Sequence, residues 1–294
     1  MAEPLWRVQQ QDQTDKAGYD NYYLNSRSDA WSSVDTIQQH LDRFSRDIRP
    51  YYLGGNTKGY VRGLAITTLL SRAQSLGRPL ERIRILDAGC GEGLLSVYLA
   101  DIGFDVIGVD ISESAVELAR HGAQKLGVGE RCLFLAESLE QTSIDTASID
   151  FVIGHASLHH FIKYPGVPAE FRRIMKPGAE GFFADSFSEN FLYHIFQNRQ
   201  QMHQLGDVRL TKALIEEYFS GFSPKLVPTD WFVMLDKLFI KVLPRAMQTA
   251  IVHLSKLNFA LDRRIPLSSR AFLWMSGAVL TTIQKPGCDF TVNA

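Results

Sequence analysis

Residues 83–110 read I-R-I-L-D-A-G-C-G-E-G-L-L-S-V-Y-L-A-D-I-G-F-D-V-I-G-V-D, and this stretch decides the fold. Its first residues, Ile83 to Leu86, form a short apolar run that is typical of a buried parallel strand. The glycines that follow cannot continue the strand, so a tight turn is expected there. Apolar residues at helical spacing come next, from Leu94 to Ala100, and a second apolar run, Val106 to Val109, leads to Asp110. The pattern predicts one βαβ unit with a glycine-rich first turn.

Such a unit places a nucleotide at the carboxyl ends of its strands. Gly89 and Gly91 let the backbone approach a ligand closely, and Asp110 stands where an acid binds both ribose hydroxyls. Dinucleotide sites usually read G-x-G-x-x-G, but Leu94 takes the last place here. Asp87, directly before the turn, is a poor neighbour for a pyrophosphate and a good one for the ammonium and sulfonium groups of S-adenosylmethionine. The pattern therefore favours a methyl donor over NAD.

The segments L-D-A-G-C-G-E-G and V-I-G-V-D-I-S resemble the first two motifs of class I S-adenosylmethionine-dependent methyltransferases. The resemblance covers roughly residues 80–230 and is strongest to the quinone-methylating and antibiotic O-methyltransferase branch, which acts on small molecules. It implies an α/β fold with a Rossmann-like seven-stranded sheet, an N-terminal helical cap and a helical insertion before the last strand. The expected divisions are 1–79 for the arm and cap, 80–230 for the cofactor-binding core, 231–268 for the insertion or substrate lid, and 269–294 for the last strand and tail.

The same resemblance implies a cofactor-binding set. Asp87 and the glycine turn would hold the amino-acid end of S-adenosylmethionine, Asp110 its ribose, and residues 137–139 its adenine. In the family, aspartate is commoner than glutamate at the start of that last segment. The full predicted set is Asp87, Gly89, Cys90, Gly91, Asp110, Ile111, Glu137, Ser138, Leu139 and His155.

Histidines cluster after the fourth predicted strand, Ile149 to Gly154, in H-A-S-L-H-H-F. Histidine titrates near neutrality and can remove a proton from an acceptor as it attacks the methyl group. His155 is expected beside the cofactor. His159 and His160 are expected to point in different directions, so at most one of them would face the methyl while the other supports the loop. The sequence S-L-H-H resembles a pattern in small-molecule methyltransferases in which paired histidines act with an acid after the fifth strand, and Asp185 is the corresponding acid.

The amino-acid composition and net charge limit the class of protein. The chain has 294 residues, 45% of them hydrophobic, and a formal net charge of −1, which suits one large globular domain and lacks the basic excess of a general nucleic-acid binder. The N-terminus lacks the apolar core of a signal peptide, and the longest apolar stretch, Ala271 to Ile283, is too short to span a bilayer.

Three cysteines, Cys90, Cys132 and Cys288, show no C-x-x-C spacing. A reduced, cytoplasmic protein without a metal site is therefore expected, and Cys90 is interpreted as a small turn residue.

Two segments leave alternatives open. Residues 1–28 are polar and contain three tyrosines, so they form either a partly ordered tail or, as in related methyltransferases, a segment that folds over the pocket. Residues 237–245 place Lys237, Lys241 and Arg245 on one helical face, which suits either a membrane surface or ordinary solvent. Further predicted elements are helices over Ser33 to Ile48, Thr57 to Leu76 and Lys212 to Phe219, and strands over Lys225 to Trp231 and Phe272 to Gln284.

The preferred hypothesis is a methyltransferase that uses S-adenosylmethionine to methylate a partly apolar small molecule, such as a natural product, on oxygen. One alternative is a C-methyltransferase acting on an isoprenoid, quinone or lipid at a membrane surface. Another, of a different class, is a protein that binds the cofactor without transferring its methyl group. A small-molecule acceptor and no nucleic acid are expected as partners, with peripheral membrane contact and homo-oligomerisation left open.

Overall fold

A computed structural model describes residues 5–25, 39, 41–42, 57–187, 208–229 and 278–287 of the chain. Within these ranges the protein forms a single sheet covered by helices on both faces. The strands are β1 (Arg84–Ala88), β2 (Asp105–Asp110), β3 (Cys132–Ala136), β4 (Ile149–His155), β5 (Met175–Ser186), β6 (Lys225–Thr229) and β7 (Ala278–Gln284). The helices are α1 (Leu5–Asn25), α2 (Thr57–Ser75), α3 (Leu94–Ile102), α4 (Glu113–Leu126), α5 (Leu158–Phe161), α6 (Val167–Ile174) and α7 (Lys212–Tyr218).

The sheet has seven strands in the order β3-β2-β1-β4-β5-β7-β6. The first five strands of that order pair in parallel, whereas β7 is antiparallel to both of its neighbours. The order reverses at β1, since the chain leaves β1 toward β2 and β3 and later returns to the other side with β4. In open α/β sheets a ligand binds at such a reversal, outside the carboxyl ends of the strands. The predicted Rossmann-like, seven-stranded sheet is confirmed.

Successive residues of β1 point to opposite faces of the sheet, and each face has its own apolar core. Ile85 is fully buried in one core with residues of α2, α3 and α4, while Leu86 is fully buried in the other with residues of α5, α6 and α7. Near-continuous apolar strands are what a sheet covered on both faces requires. This burial fixes the strand ends, and with them the loops that carry polar side chains.

The N-terminal segment is a helix in the structure and lies against the core domain. Helix α1 packs on α4, and its Asp15 side chain is buried. Of the two interpretations of residues 1–28, a segment folded over the pocket matches the position of α1, which the structure describes from Leu5 to Asn25.

Several predicted elements extend beyond the described residues. Of the predicted helix from Ser33 to Ile48, residues 39, 41 and 42 are described, and all three are helical. The structure shows β6 ending at Thr229 and β7 beginning at Ala278, so the outer parts of those two predicted strands lie outside the description. The insertion at 231–268 and Cys288 lie outside it as well. Among the helices that are described, none combines the length and the apolarity needed to cross a bilayer.

Candidate active site

A cavity of about 360 Å³ opens at the carboxyl ends of β1, β2, β3 and β4. All ten residues predicted to bind the cofactor line it. Further lining residues come from α1, α2 and the segment around α5: Tyr19, Tyr23, Arg62, Ala156, Ser157, His160, Phe161 and Tyr164. The site therefore lies where the strand order reverses, with α1 and α2 adding side chains from outside the sheet.

The glycine turn after β1 forms the floor of the cavity. Gly89 and Gly91 have φ angles of 72° and 53°, which favour glycine. The backbone N–H groups of Gly89 and Cys90 both donate to the carbonyl oxygen of Val109, at 2.9 and 3.0 Å. A Cβ atom on Gly89 would lie 2.7 Å from the Cβ atom of Ser157. Both backbone conformation and space therefore require glycine at position 89.

Asp87 supplies a buried carboxylate to the cavity. Its side chain is nearly inaccessible, and Oδ2 accepts a 2.6 Å hydrogen bond from Ser96 Oγ on α3. Burial raises the pKa of Asp87 to about 7, and the nearby Asp110 charge adds to the shift, while the Ser96 hydrogen bond opposes it. A cationic ligand beside this carboxylate would favour its ionised form.

Asp110 at the end of β2 is held in a fixed orientation by backbone amides. The N–H of Gly91 donates to Oδ2 at 2.8 Å, and the N–H of Ser112 donates to Oδ1 at 3.0 Å. Burial raises the pKa of Asp110, although these two hydrogen bonds lower it. Each oxygen still has acceptor capacity for a further donor, such as a ribose hydroxyl.

Glu137 lines the cavity, but its carboxylate is engaged within its own loop. Oε2 accepts from the N–H of Ser143 at 2.8 Å, and Oε1 accepts from the Ser143 hydroxyl at 2.7 Å.

Cys90 also lines the cavity, and burial raises the pKa of its thiol well above the usual value. The thiol therefore stays protonated near neutral pH, as expected for a small turn residue.

The three predicted catalytic residues occupy different positions. His160 lines the cavity, whereas His159 and Asp185 do not. His159 Nδ1 lies 2.7 Å from Asp185 Oδ1, and the rings of His159 and His160 are in contact, with centroids 3.9 Å apart and planes tilted by 42°. The histidines thus have different partners, and His160 is the one at the cavity.

Asp185 behind this pair is buried and ionised. Burial alone would raise its pKa, but the charge and hydrogen bond of His159, together with the His160 charge and the hydrogen bond from the N–H of Ser186, hold the pKa of Asp185 below its usual value. Its Oδ2 atom has no hydrogen-bond partner in the part of the chain that the structure describes. Asp185 therefore acts on the site through the His159 ring.

Helix α1 is attached to the site by polar contacts. Tyr19 Oη lies 2.7 Å from His160 Nδ1. Asp20 accepts from Ser112 Oγ at 2.7 Å and from the N–H of Ser114 at 3.1 Å, beside the start of α4. Asp15 forms an ion pair with Lys163 Nζ at 2.6 Å and accepts a hydrogen bond from the Tyr164 hydroxyl. Tyr19 and Tyr23 of this helix line the cavity, which matches the interpretation of the polar segment as one that folds over the pocket.

Arg62, Ser157 and Tyr164 were not predicted to be site residues. Arg62 on α2 is 7% exposed, an unusual burial for a cation that lines a cavity. No local pattern distinguishes it, because a cationic residue on a helix usually faces solvent. Ser157 stands inside the H-A-S-L-H-H-F motif, and attention to hydroxyls as well as histidines would have identified it.

Over the described ranges, no group of His, Cys, Asp and Glu side chains has an arrangement that suits a metal ion.

Comparison with known proteins agrees with this geometry. Residues 86–183 match the family model described as a methyltransferase domain. A ubiquinone biosynthesis O-methyltransferase from Methylocella silvestris is 35% identical over 115 residues, which are 39% of this chain and 44% of that protein. An S-adenosyl-L-methionine-dependent Diels-Alderase from Talaromyces variabilis is 40% identical over 99 residues, 32% of this chain and 33% of that protein. The chain thus spans less than half the length of each of these curated relatives.

Among solved structures, geranyl diphosphate C-methyltransferase from Streptomyces coelicolor superposes with a TM-score of 0.52 at 14% identity, covering 92% of this chain and 98% of the other. At that identity the likeness concerns the fold alone. The matched segment contains the glycine turn and both acidic strand ends, and it lies within a sheet of the same type. Residues 86–183 are therefore similar to a methyltransferase domain, and they lie within a Rossmann-like seven-stranded sheet.

Proposed function

We propose that the protein transfers the methyl group of S-adenosylmethionine to an oxygen atom of a partly apolar small molecule. The observation that carries this proposal is the juxtaposition, in one cavity, of a buried carboxylate, Asp87, and a half-buried one, Asp110, with the imidazole of His160. The carboxylates suit a cationic nucleoside. The imidazole suits an acceptor that must lose a proton.

The residues of the cavity fit the cofactor from end to end. Asp110, oriented by two backbone amides, would accept hydrogen bonds from the ribose hydroxyls. Asp87 would bind the ammonium group, and Arg62, a buried cation of the same cavity, the carboxylate. When bound, the cofactor supplies an electrophilic methyl group on sulfur. The positive φ of Gly89 and Gly91 keeps the floor of the cavity free of side chains, so the nucleoside can approach the backbone.

His160 would accept the proton of the acceptor. If its Nδ1–H donates to Tyr19 Oη, then Nε2 is the unprotonated nitrogen, and an unprotonated imidazole nitrogen can accept the proton of a hydroxyl group. Phe161, Leu94 and Leu95 give the wall an apolar character that suits a partly apolar acceptor. Most of the rate enhancement would come from aligning the acceptor oxygen with the methyl group, because the methyl donor is already activated.

The relatives support this proposal in part. One of them is named as an O-methyltransferase of ubiquinone biosynthesis, which favours oxygen as the accepting atom and a quinone-like or phenolic acceptor. The predictions of a natural-product acceptor, of a cytoplasmic location and of no nucleic-acid partner stay predictions. C-methylation of a lipid also stays an alternative, and the position of the label in the product distinguishes it.

The test is incubation with trideuteromethyl S-adenosylmethionine and a small-molecule extract separated into polar and lipid fractions, followed by mass spectrometry. A product heavier by one CD₃ group, with the label on oxygen, supports the proposal. His160→Ala is expected to lower the rate of its formation. His121→Ala, at an exposed position of α4, serves as the matched control and is expected to leave the rate unchanged. Label on carbon, or no labelled product in either fraction, would overturn the proposal.

A second candidate function is catalysis that uses the bound cofactor without methyl transfer. It is favoured by the resemblance to a protein named as an S-adenosyl-L-methionine-dependent Diels-Alderase. The residues that would hold the cofactor are the same in both cases. The two functions differ in cofactor consumption, since only methyl transfer forms S-adenosylhomocysteine in proportion to product.

A further inference from the structure

Asp20 of helix α1 binds the beginning of another helix, α4. Its Oδ1 atom accepts a hydrogen bond from the Ser112 hydroxyl at 2.7 Å and another from the N–H of Ser114 at 3.1 Å, although 92 positions separate Asp20 from Ser112. The first N–H groups of a helix have no partner within that helix, and a carboxylate beside them is favourable. Asp20 therefore supplies, from a distant part of the chain, a partner that the start of α4 requires.

Ser112 connects Asp20 to the acid at the end of β2. Its side chain is fully buried, and its hydroxyl oxygen also accepts from the N–H of Ala115 at 3.2 Å, as the N-cap of α4. Its own backbone N–H donates to Asp110 Oδ1 at 3.0 Å. One residue thus carries both the hydroxyl that Asp20 holds and the amide that orients Asp110. A shift of Ser112 moves that amide with it.

The charges show that Asp20 acts on Asp110 through this geometry. Burial opposes ionisation of Asp20, but the hydrogen bonds from Ser112 and Ser114 and the nearby Lys16 charge hold its pKa below the usual value. The pKa of Asp110 is raised, chiefly by burial, and the negative charge of Asp20 adds to this rise. The charge of Asp20 therefore disfavours the ionised form of Asp110. Any benefit that Asp20 brings to Asp110 must come from the hydrogen bonds that fix Ser112.

We infer that Asp20 is a positioning residue for recognition of the cofactor's ribose: by holding Ser112, it fixes the backbone N–H that orients Asp110. The inference rests on the proposed function, which supplies the cofactor and assigns its ribose hydroxyls to Asp110. Asp20 does not line the cavity, so its effect reaches the ligand through Ser112 and Asp110. Adjacent residues of α1 then serve two parts of the site, since Tyr19 contacts His160.

The test compares two ligands by calorimetry, S-adenosylhomocysteine and its analogue without the two ribose hydroxyls. The ratio of their affinities measures what the hydroxyls contribute. Asp20→Ala is expected to weaken S-adenosylhomocysteine about tenfold, the loss typical of one hydrogen bond, and to change the analogue less than about twofold. Asp20→Asn keeps an oxygen that can accept from Ser112 and Ser114 but removes the charge, so it is expected to restore S-adenosylhomocysteine to within about twofold of the wild-type affinity.

The matched control is Lys16→Ala. Lys16 forms an exposed ion pair with Glu113 at 3.6 Å, which joins the same two helices without involving Ser112. Exposed ion pairs contribute little, and this one has no hydrogen bond to the segment that holds Asp110. Its removal is expected to leave the affinities for both ligands unchanged.

Equal weakening of both ligands by Asp20→Ala would overturn the inference, because it would indicate a general displacement of α1. No weakening of S-adenosylhomocysteine would overturn it as well, as would a loss in Asp20→Asn as large as in Asp20→Ala. If thermal unfolding shows that Asp20→Ala is destabilised, Ser112→Ala breaks the same hydrogen bond from the other side and is measured in the same way. A wild-type protein that binds neither ligand would instead contradict the proposed function.

Discussion

Tyr19 of α1 and His160 of α5 are joined by a 2.7 Å contact between Tyr19 Oη and His160 Nδ1, although 141 positions separate them in the chain. Their rings meet edge to face with centroids 5.3 Å apart. A helix outside the sheet thus supplies the partner that orients the imidazole at the cavity. The docking of α1 is therefore linked to the orientation of the His160 ring.

The first prediction tests that link through Tyr19→Phe, which removes the hydroxyl and keeps the ring. The variant is expected to lower kcat about tenfold, since a hydrogen bond of this kind is worth about 1–2 kcal/mol, and to leave KM for the cofactor nearly unchanged. Tyr22→Phe, at an exposed position of the same helix, is the control. Equal rates for Tyr19→Phe and the wild type would contradict this role.

The second prediction concerns the pH dependence of cofactor binding. In the ligand-free protein the pKa of Asp87 is about 7, and a cationic ligand binds the ionised form. The affinity for S-adenosylmethionine is therefore expected to fall up to about tenfold per pH unit as the pH drops below about 7. The neighbouring Asp110, whose pKa is also raised, adds to this slope in more acidic solution.

Calorimetric titrations at several pH values check the slope, with Asp87→Asn as the variant that should flatten it. The stability of the ligand-free protein depends on pH in the opposite direction. Because the pKa of Asp87 is higher in the folded than in the unfolded chain, stability contributed by this group is lost as the pH rises from about 4 to about 7. An affinity that is independent of pH in the wild type would show that Asp87 does not bind the cation.

The third prediction addresses Asp185, which contacts His159 and is connected to the cavity through the ring contact of His159 with His160. Asp185→Asn removes the charge and is expected to lower kcat while leaving the affinity for S-adenosylhomocysteine unchanged, because Asp185 does not line the cavity. The folded protein is also expected to lose stability at neutral pH. The pKa of Asp185 is lowered on folding, so its contribution is present above the unfolded pKa of about 4 and is lost as the pH falls through the folded value.

Acid unfolding followed by circular dichroism checks the stability, and calorimetry checks binding. The expected signature is a smaller difference between wild type and variant at pH 3 than at pH 7. A variant that loses cofactor affinity as strongly as activity would place Asp185 in direct contact with the ligand, contrary to the structure.

Much of the site could be predicted from the sequence because its determinants are local. The glycine turn, Asp87 and Asp110 all fall within one βαβ unit, whose geometry follows from short apolar strands and a glycine-rich loop. The seven-stranded sheet follows from the resemblance of this unit to class I methyltransferases. Residues adjacent to strand ends are brought together by the parallel sheet itself, and so their shared location needs no knowledge of the rest of the chain.

The remaining features depend on contacts between distant residues. Helix α1 has few apolar residues and is held by side-chain bonds such as Asp15 to Tyr164, which lie 149 positions apart, so no periodicity predicts where it packs. His159 and His160 are neighbours in sequence, and only the position of Asp185 on β5 decides which of them is turned away from the cavity.

The fourth prediction uses two glycines that share a positive φ but differ in their surroundings. Gly89 has a φ of 72° and would place a Cβ atom 2.7 Å from Ser157 Cβ, whereas Gly178 has a φ of 77° and open space around that position. Gly178→Ala is expected to lower the free energy of unfolding by about 1 kcal/mol, the cost of the left-handed conformation alone. Gly89→Ala is expected to cost about 2–4 kcal/mol, since the turn must also move away from Ser157. Chemical denaturation measures both values.

The same two variants, Gly89→Ala and Gly178→Ala, distinguish a loss of stability from a loss of cofactor affinity. Movement of the turn displaces the amide of Gly91 that orients Asp110, so Gly89→Ala is expected to weaken S-adenosylhomocysteine at least tenfold even at temperatures where the variant is fully folded. Gly178→Ala lies far from the cavity lining and is expected to bind with wild-type affinity. If both variants lost the same stability and neither lost affinity, the glycine turn would not be the floor of the cofactor site, and the assignment of the cavity to a nucleoside would fail with it.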